Sequence, residues 1–398
     1  VDWIEKFVTL TDVGLSPERF RRWAALSVVA TVTDRRVWTS TFSGIPLYPN
    51  LFIMLVGDPG TGKGRAIVPA RMVLETQEHV QLAPKSTSYE SFINTLSKRS
   101  NQDEDGIERQ RATLGLYLPE WGTFLRRPDN DFMAMMSDVY DNESYHHKVL
   151  TREDEATNLF VNILAACTPA WFAEGFPANA YAQGLPTRFQ FIYDVPNPNM
   201  PDFDFSPNVS DDPLDDVVTN ELYPELDKIS AARGFMKWSV EAGKKMNAWK
   251  NDGFEPAPKD PMLTGYCTRR HLHLAKISIL IALSRHPERM IIEGVDWDRA
   301  YEIMLEAEPH MITALSSAGG NEYKLRSDAL YSFVCARWKQ MGGKGGVPEW
   351  EVRQTLGRTI PPHMLRTVLE EMIAQQYLRV IGTGKAPMRK LKPGVRKK

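Results

Sequence analysis

The stretch Leu51-Phe52-Ile53-Met54-Leu55-Val56-Gly57-Asp58-Pro59-Gly60-Thr61-Gly62-Lys63-Gly64-Arg65 decides the fold. A short apolar run reads as a buried strand, and the glycine-rich turn behind it leads into a helix. The order and spacing fit the phosphate-binding loop pattern G-x-x-x-x-G-K. Glycines let backbone approach an anion because no Cβ stands in the way. Successive amide N–H groups and the start of the next helix then face the phosphates. Gly57, Asp58, Pro59, Gly60, Thr61, Gly62, Lys63, Gly64 and Arg65 are therefore the candidate nucleotide-binding residues, with Lys63 reaching the β- and γ-phosphates. One position departs from the pattern. The residue after the lysine is ordinarily Ser or Thr, whose hydroxyl binds Mg²⁺, and here it is Gly64.

The chain has 398 residues, a formal net charge of −2 and 42% apolar residues, ordinary for a globular protein of two or three domains. No apolar run approaches the length of a membrane-spanning helix, and the first residues do not resemble a secretory signal. Cys167, Cys267 and Cys335 lie far apart, which is the pattern of free thiols in an intracellular, cytoplasmic protein. The histidines have no metal-ligand spacing, so no zinc site and no protein metal ligands are expected. The charge is uneven. Asp202, Asp204, Asp211, Asp212, Asp215 and Asp216 crowd one segment, whereas the end of the chain carries Arg379, Lys385, Arg389, Lys390, Lys392, Arg396, Lys397 and Lys398 without an acid. A basic end of this kind favours a polyanionic partner.

Along the chain, helices are expected over 3–9 and 17–33, the second capped by Ser16 with Pro17 at its first position. A short strand is expected over 36–40, a helix over 63–79 and another over 89–98. The charged segment 101–113 reads as a loop. The next buried strand is 114–118, followed by Pro119-Glu120-Trp121-Gly122. In nucleotide hydrolases the strand beside the phosphate loop ends in an acidic pair. The aspartate supports Mg²⁺, and a following glutamate can polarise the attacking water. Glu120 fits the glutamate, and Pro119 stands where the aspartate belongs. Asp138 and Asp141 are the candidate substitutes. After a helix near 131–139, the runs 145–150 and 158–166 read as two strands of a β-hairpin whose charged tip is Thr151-Arg152-Glu153-Asp154-Glu155. A helix-like stretch leads to Gly184-Leu185-Pro186-Thr187-Arg188-Phe189, a loop feeding a strand. The segment 194–216 reads as a linker or long surface loop, and 216–310 as mostly helical, with Gly319-Gly320 breaking the chain.

The end reads as a separate module. Helices over 324–340, 348–356 and 361–375 precede strands over 377–381 and 388–391, the order of a winged helix. The third helix of that module, which carries Arg366, can enter a major groove, while the wing, with Lys385 and Arg389, touches backbone.

The order of these parts resembles the AAA+ ATPases of the MCM-like, hairpin-bearing helicase group, and is most similar to the replicative-helicase-like ATPases of phages and mobile elements. The resemblance spans about residues 15–390. By position, Gly57–Gly64 is similar to Walker A and Leu114–Glu120 to Walker B. The 145–166 segment corresponds to the hairpin before sensor 1, and Thr168 to sensor 1, where the group often has asparagine. Gly184–Phe189 is similar to the G-L-x-x-R-F segment, which makes Arg188 the arginine finger. Arg270-His271-Leu272 is similar to sensor 2, with Arg269 as the alternative.

The resemblance implies an α/β P-loop NTPase (AAA+) core with N-terminal helices, a helical lid and a C-terminal winged helix. The corresponding divisions are an N-terminal helical segment 1–45, a core 46–215, a lid 216–318, a winged helix 322–393 and a basic tail 394–398. It implies ATP with Mg²⁺, a homo-oligomer (a hexameric ring with nucleotide between subunits), and catalytic roles for Glu120, Thr168, Arg188 and Arg270. It also implies DNA as partner, with Lys148 and Arg152 on a channel-lining hairpin touching a strand's sugar–phosphate backbone. The expected function is an ATP-driven DNA helicase or translocase serving phage or mobile-element replication in a bacterial host cytoplasm. The alternative is an ATP-gated DNA-binding or helicase-loader protein with weak or no hydrolysis, as the losses at Gly64 and Pro119 would favour. A metabolic P-loop kinase is disfavoured, since a winged helix and an arginine-finger loop have no use there.

Overall fold

The computed structural model describes the chain except residues 1, 13, 85–88, 98–99, 103–107, 111, 125–129, 150–151, 170, 172–183, 197–212, 261–262, 344, 358–359, 361, 375–376, 382–388 and 395–398. Two helices lead. α1 (Trp3–Leu10) starts behind Asp2, whose carboxylate accepts the Glu5 N–H at 3.1 Å. α2 (Glu18–Val32) starts behind Pro17 with no side-chain cap. The expected cap, Ser16, is buried and instead gives its carbonyl to Arg21 Nη1 at 2.5 Å. Two short strands, β1 (Val37–Ser40) and β2 (Pro46–Leu47), pair antiparallel before the chain enters the central strand β3 (Phe52–Val56). Then come α3 (Lys63–Glu75), α4 (Tyr89–Ser97), a ribbon of β4 (Ser100–Gln102) and β5 (Glu108–Gln110), β6 (Thr113–Leu118), α5 (Trp121–Phe124) and α6 (Asn130–Tyr140). The 101–113 segment, expected as a loop, is thus partly an antiparallel ribbon. A second ribbon, β7 (Tyr145–Val149) with β8 (Arg152–Ala156), precedes β9 (Phe160–Cys167) and β10 (Phe189–Tyr193).

The result is a mixed α/β architecture around a four-stranded parallel sheet in the order β10-β3-β9-β6. All residues of β3, β6 and β9 are buried, as a parallel sheet covered on both faces requires. Alternation along each strand divides the side chains between two layers. Ile53, Leu55, Leu164, Ala166 and Ile192 share a core with Phe20 and Trp23 of α2 and Ile67 and Leu74 of α3. On the other face Phe52 meets Tyr140 edge-on at 5.0 Å between ring centroids, and Trp121 meets Phe189 at 6.1 Å. Tyr117, fully buried in β6, is hydrogen-bonded to both Ser27 (2.9 Å) and Thr31 (2.8 Å) of α2. That satisfies a phenol which would otherwise be costly to bury.

Here the expected hairpin is corrected. The charged run Arg152-Glu153-Asp154-Glu155 is not a tip but the second strand of the ribbon, in register Val149↔Arg152 and Lys148↔Glu153. The run 158–166 does not pair with 145–150. It forms the strand between β3 and β6, because eight consecutive buried residues fit a two-sided interior and not a ribbon. The expected helix-like stretch before Gly184, and most of the 194–216 segment, lie outside the described residues.

The chain divides into two compact units, Val1–Leu315 and Ser316–Lys398. The core of the first reaches well past the sheet. Leu274, Ile277 and Ile281 of the helix Thr264–Arg285 lie in the same cluster as Ile53 and Trp23. The expected break at Gly319-Gly320 is absent, since one helix runs Gly294–Gln340. Two interior glycines cost a helix only about 2 kcal/mol, small beside what the rest of a 47-residue helix contributes. In the second unit the helices Glu349–Leu356 and Pro362–Ala374 accompany a three-stranded antiparallel sheet. Its strands are β11 (Val347–Pro348), β12 (Leu378–Ile381) and β13 (Lys390–Pro393), in the order β11-β13-β12. Val334, Val347, Val352, Leu365, Leu369 and Leu391 form its core. Among the described residues no helix is long and apolar enough to cross a membrane.

The entrance to β3 depends on two buried amides. Asn162 Oδ1 accepts the Leu51 N–H at 2.9 Å, and Asn50 Nδ2 donates to Tyr140 O at 2.9 Å. Asn162→Ala leaves the Leu51 N–H unsatisfied inside the protein. It should cost about 1–3 kcal/mol, read as a lowered urea midpoint of the unit that holds the parallel sheet.

Candidate functional site

Parallel pairing brings the C-terminal ends of β3, β6 and β9 to one edge of the sheet. The glycine turn leaves β3 there, Glu120 follows β6, and Thr168 follows β9. The turn is shaped by its glycines. Gly60 has φ +88° and Gly62 φ +81°, the left-handed region that favours glycine. A Cβ on Gly62 would lie 1.9 Å from the Leu15 carbonyl oxygen, so the segment before α2 closes directly on the turn. A Cβ on Gly57 would lie 2.9 Å from the Asp194 carbonyl. Thr61 Oγ1 donates to Asp58 O at 2.5 Å, and Lys63 Nζ folds back to Gly57 O at 2.6 Å and Asp58 O at 2.8 Å. Burial lowers the Lys63 pKa from the ordinary lysine value, against the opposing pull of Cys167, Asp58 and Glu120.

These elements border a cleft of about 1140 Å³, large enough for a nucleotide-sized ligand. Lys63, Arg65, Glu120 and Thr168 line it together with Trp121 and Trp171. Trp171 lies against Gly122, where an added Cβ would meet Nε1 at 2.4 Å. Glu120 is exposed at the cleft. Thr168 Oγ1 accepts the Trp171 N–H at 3.2 Å, and its own hydroxyl proton can still be donated. Cys167 also lines the cleft, and burial pushes its thiol up, so it stays neutral.

An anion fits this edge: the close backbone approach, the start of α3 and the Lys63 ammonium all favour negative charge. A divalent cation finds less. Gly64 and Pro119 offer no side-chain ligand, and among the described residues a Cβ built on Gly64 meets nothing within 4 Å. Asp138 and Asp141, the expected substitutes, are corrected here. They lie on α6 and just beyond it, in the company of Arg188 and not of Lys63.

Arg188 lies at the opposite edge. It immediately precedes β10, whose Phe189 stands level with Phe52, the first residue of β3. At about 3.3 Å per residue, about 17 Å of strand separates that level from Gly57. Arg188 Nε and Nη2 donate to Asp141 Oδ2 at 3.2 and 2.5 Å, and Nη1 donates to Gly184 O at 3.0 Å. Arg269 Nη1 donates to Asp141 Oδ1 at 2.9 Å. Burial raises the Asp141 pKa, but the two guanidiniums outweigh it and hold the carboxyl below the ordinary range. Beneath lies a buried polar chain. Tyr140 OH is 3.1 Å from His273 Nδ1, and His273 Nε2 is 3.1 Å from Thr187 O. A neutral ring that accepts at Nδ1 and donates at Nε2 satisfies both contacts. Burial holds His273 neutral, with its pKa lowered to about 3. Lys276 Nζ donates to Asn50 O (3.0 Å) and Asn50 Oδ1 (2.8 Å) and lies 3.8 Å from the centre of the Tyr140 ring.

Arg270 joins neither edge. It is fully buried, paired with Glu308 at 2.6 Å and bonded to the carbonyls of Phe254 (2.5 Å) and Pro256 (2.8 Å). On that helix it is Arg269 that joins Asp141 beside Arg188. Arg152 pairs with Val149 at the end of the β7–β8 ribbon and Lys148 stands one register pair behind. In the second unit Arg366 is exposed on the helix Pro362–Ala374. Arg389 is bonded to the carboxylates of Glu349 and Glu370, and Lys385 lies outside the described residues. The tryptophan wall, the closure by Leu15 and the grouping around Asp141 are missed by the sequence reading, because each joins residues far apart in the chain. The spacing of Arg269, His273 and Lys276 on one helical face was the available signal. No protein-family model matches the chain, and no curated protein matches it.

Burial lowers the Lys276 pKa to about 7, and Arg269 and Arg188 add to that, while Asp141 opposes it. Between that value and the ordinary lysine value the unfolded chain binds the extra proton. Stability should therefore rise with pH from about 7 towards 10.5, by up to about 1.4 kcal/mol per unit. Measured as urea stability against pH, the rise should be present in the wild type and missing in Lys276→Met.

Proposed function

We propose that this chain is an ATP-dependent, ring-forming DNA motor, a helicase or translocase of the AAA+ type, acting in phage or mobile-element replication. The observation that carries the reading is the separation of two chemistries. The glycine turn, Lys63, Glu120 and Thr168 share one edge of the parallel sheet, and Arg188 stands at the other. One protomer cannot join them, so a head-to-tail neighbour must, and such contacts generate rings when the rotation closes.

In this reading the backbone amides of residues 57–64 and the Lys63 ammonium bind the triphosphate. ATP supplies the phosphoryl group that passes to water. Gly64 and Pro119 offer no direct ligand, so a Mg²⁺ ion would have to be held by the phosphates and water, and would there supply neutralising charge. Glu120 accepts the proton of the attacking water, and Thr168 donates to the water or the terminal phosphate. Arg188 of the adjoining copy meets the charge that develops on the transferred group. The β7–β8 ribbon carries Lys148 and Arg152 to the backbone of a DNA strand. The second unit, read as a winged helix, adds Arg366. The losses at Gly64 and Pro119 favour a second reading, an ATP-gated DNA-binding ring with little turnover.

Nucleotide binding and steady-state turnover with and without single-stranded DNA test this. Lys63→Ala should weaken ATP binding at least about tenfold, or 1.4 kcal/mol. Glu120→Gln should leave binding in place and lower kcat about 100-fold or more. Gly64→Ser places a hydroxyl in open space and should raise turnover several-fold at limiting Mg²⁺. Tight binding without turnover supports the switch over the motor. ATP binding untouched by Lys63→Ala overturns both.

A further inference from the structure

We propose that Asp141 is the positioning residue of Arg188, orienting its guanidinium for nucleotide held by an adjoining copy. The inference rests on the functional reading above and adds a residue to it.

The geometry is specific. Guanidinium carries five N–H groups in a planar fork. Asp141 takes the side of the fork, through Nε at 3.2 Å and Nη2 at 2.5 Å. Gly184 O takes one hydrogen of Nη1 at 3.0 Å. Among the described residues Nη1 and Nη2 make no further hydrogen bond, which leaves the end of the fork that grips a phosphate in bidentate fashion. Asp141 thus fixes the plane of the fork without occupying the edge that would do the work. Gly184 is suited to its part: its φ is +78°, and a Cβ there would lie 3.2 Å from Arg188 Nη1.

Asp141 is itself held from three sides. Arg269 meets it end-on, with Nη1 2.9 Å from Oδ1 and Nη2 3.4 Å from Oδ2. Its N–H donates to Ser137 O at 3.1 Å, continuing the turn of α6. The next residue, Asn142, has φ +61° and donates from Nδ2 to Leu159 O at 2.8 Å, which pins the turn to the start of β9. The preceding residue, Tyr140, is buried between Phe52, His273 and Lys276. The carboxylate therefore sits on a rigid base, and rigidity at a supporting residue is what keeps a reactive group within reach of its target.

Two consequences separate positioning from a merely structural role. Loss of Asp141 should lower kcat and spare nucleotide affinity, because the affected arginine serves the neighbour's site. The defect should also be complemented in trans. Asp141→Asn should turn ATP over at least about tenfold more slowly than wild type, with KM, ATP binding, melting temperature and ring size kept, and Asp141→Glu should recover part of the rate. Lys63→Ala has no working nucleotide site but an intact Arg188 edge. An equimolar mixture of it with Asp141→Asn should regain about a quarter of wild-type turnover, the share of junctions where an intact nucleotide site meets an intact arginine in a head-to-tail ring. Wild-type kcat in Asp141→Asn, or a mixture no faster than its components, overturns the inference while the motor reading stands. A wild-type chain that neither assembles nor turns over ATP overturns that reading and the inference with it.

Discussion

Parallel hydrogen bonding in the β10-β3-β9-β6 sheet is the constraint on which the rest depends. Strands that all run one way give a sheet two unlike edges. One collects strand ends, where backbone amides and helix starts face outward; the other collects strand beginnings. The register Phe52↔Phe189 and Val56↔Tyr193 fixes which residue stands at which edge. Lys63 and Arg188 are kept apart by the length of a strand, and no side-chain rearrangement can bring them together.

The glycine-turn edge is built from close approach. The Leu15 carbonyl and the Asp194 carbonyl stand where Cβ atoms on Gly62 and Gly57 would be. The turn is therefore held by its neighbours, and Lys63 makes its hydrogen bonds to the turn's own carbonyls. The arginine edge is built the other way, from charge. Arg188 and Arg269 converge on one carboxylate, and a buried chain of Tyr140, His273, Lys276 and Asn50 fixes the helix and turn that carry them. Burying that chain is tolerable because each polar atom in it has a partner, which is the general condition for polar groups in an interior.

Arg269 and Arg270 show how neighbours on one helix part company. Adjacent residues on a helix are 100° apart, so Arg269 and Arg270 face different surroundings. Arg270 is enclosed with Glu308 and the ring of Trp249, whereas Arg269 reaches Asp141. Sequence order alone cannot choose between two neighbouring arginines; the angle at which the helix meets the sheet does. The same limit explains Asp138 and Asp141. As carboxylates they are reasonable substitutes for a missing metal ligand, and only the path of α6 shows that they lie beside Arg188.

What the sequence determined by itself was local. The apolar run 51–56, the glycines at 57, 60 and 62 and the lysine at 63 specify strand, turn and helix, because strand burial and positive φ are properties of a few consecutive residues. The all-buried strand Phe160–Cys167 was legible as a strand, but its partners were not. Its pairing between β3 and β6, and that of Arg152–Ala156 with Tyr145–Val149, depend on which surfaces the helices leave to be covered. The continuous helix through Gly319-Gly320 likewise overrode a local signal worth only about 2 kcal/mol. Tertiary structure alone decided that Leu15 closes on Gly62, that Asp141 holds Arg188, and that Lys63 and Arg188 stand at opposite edges. Those are contacts between segments distant in the chain, and only the packing of the whole unit brings them together.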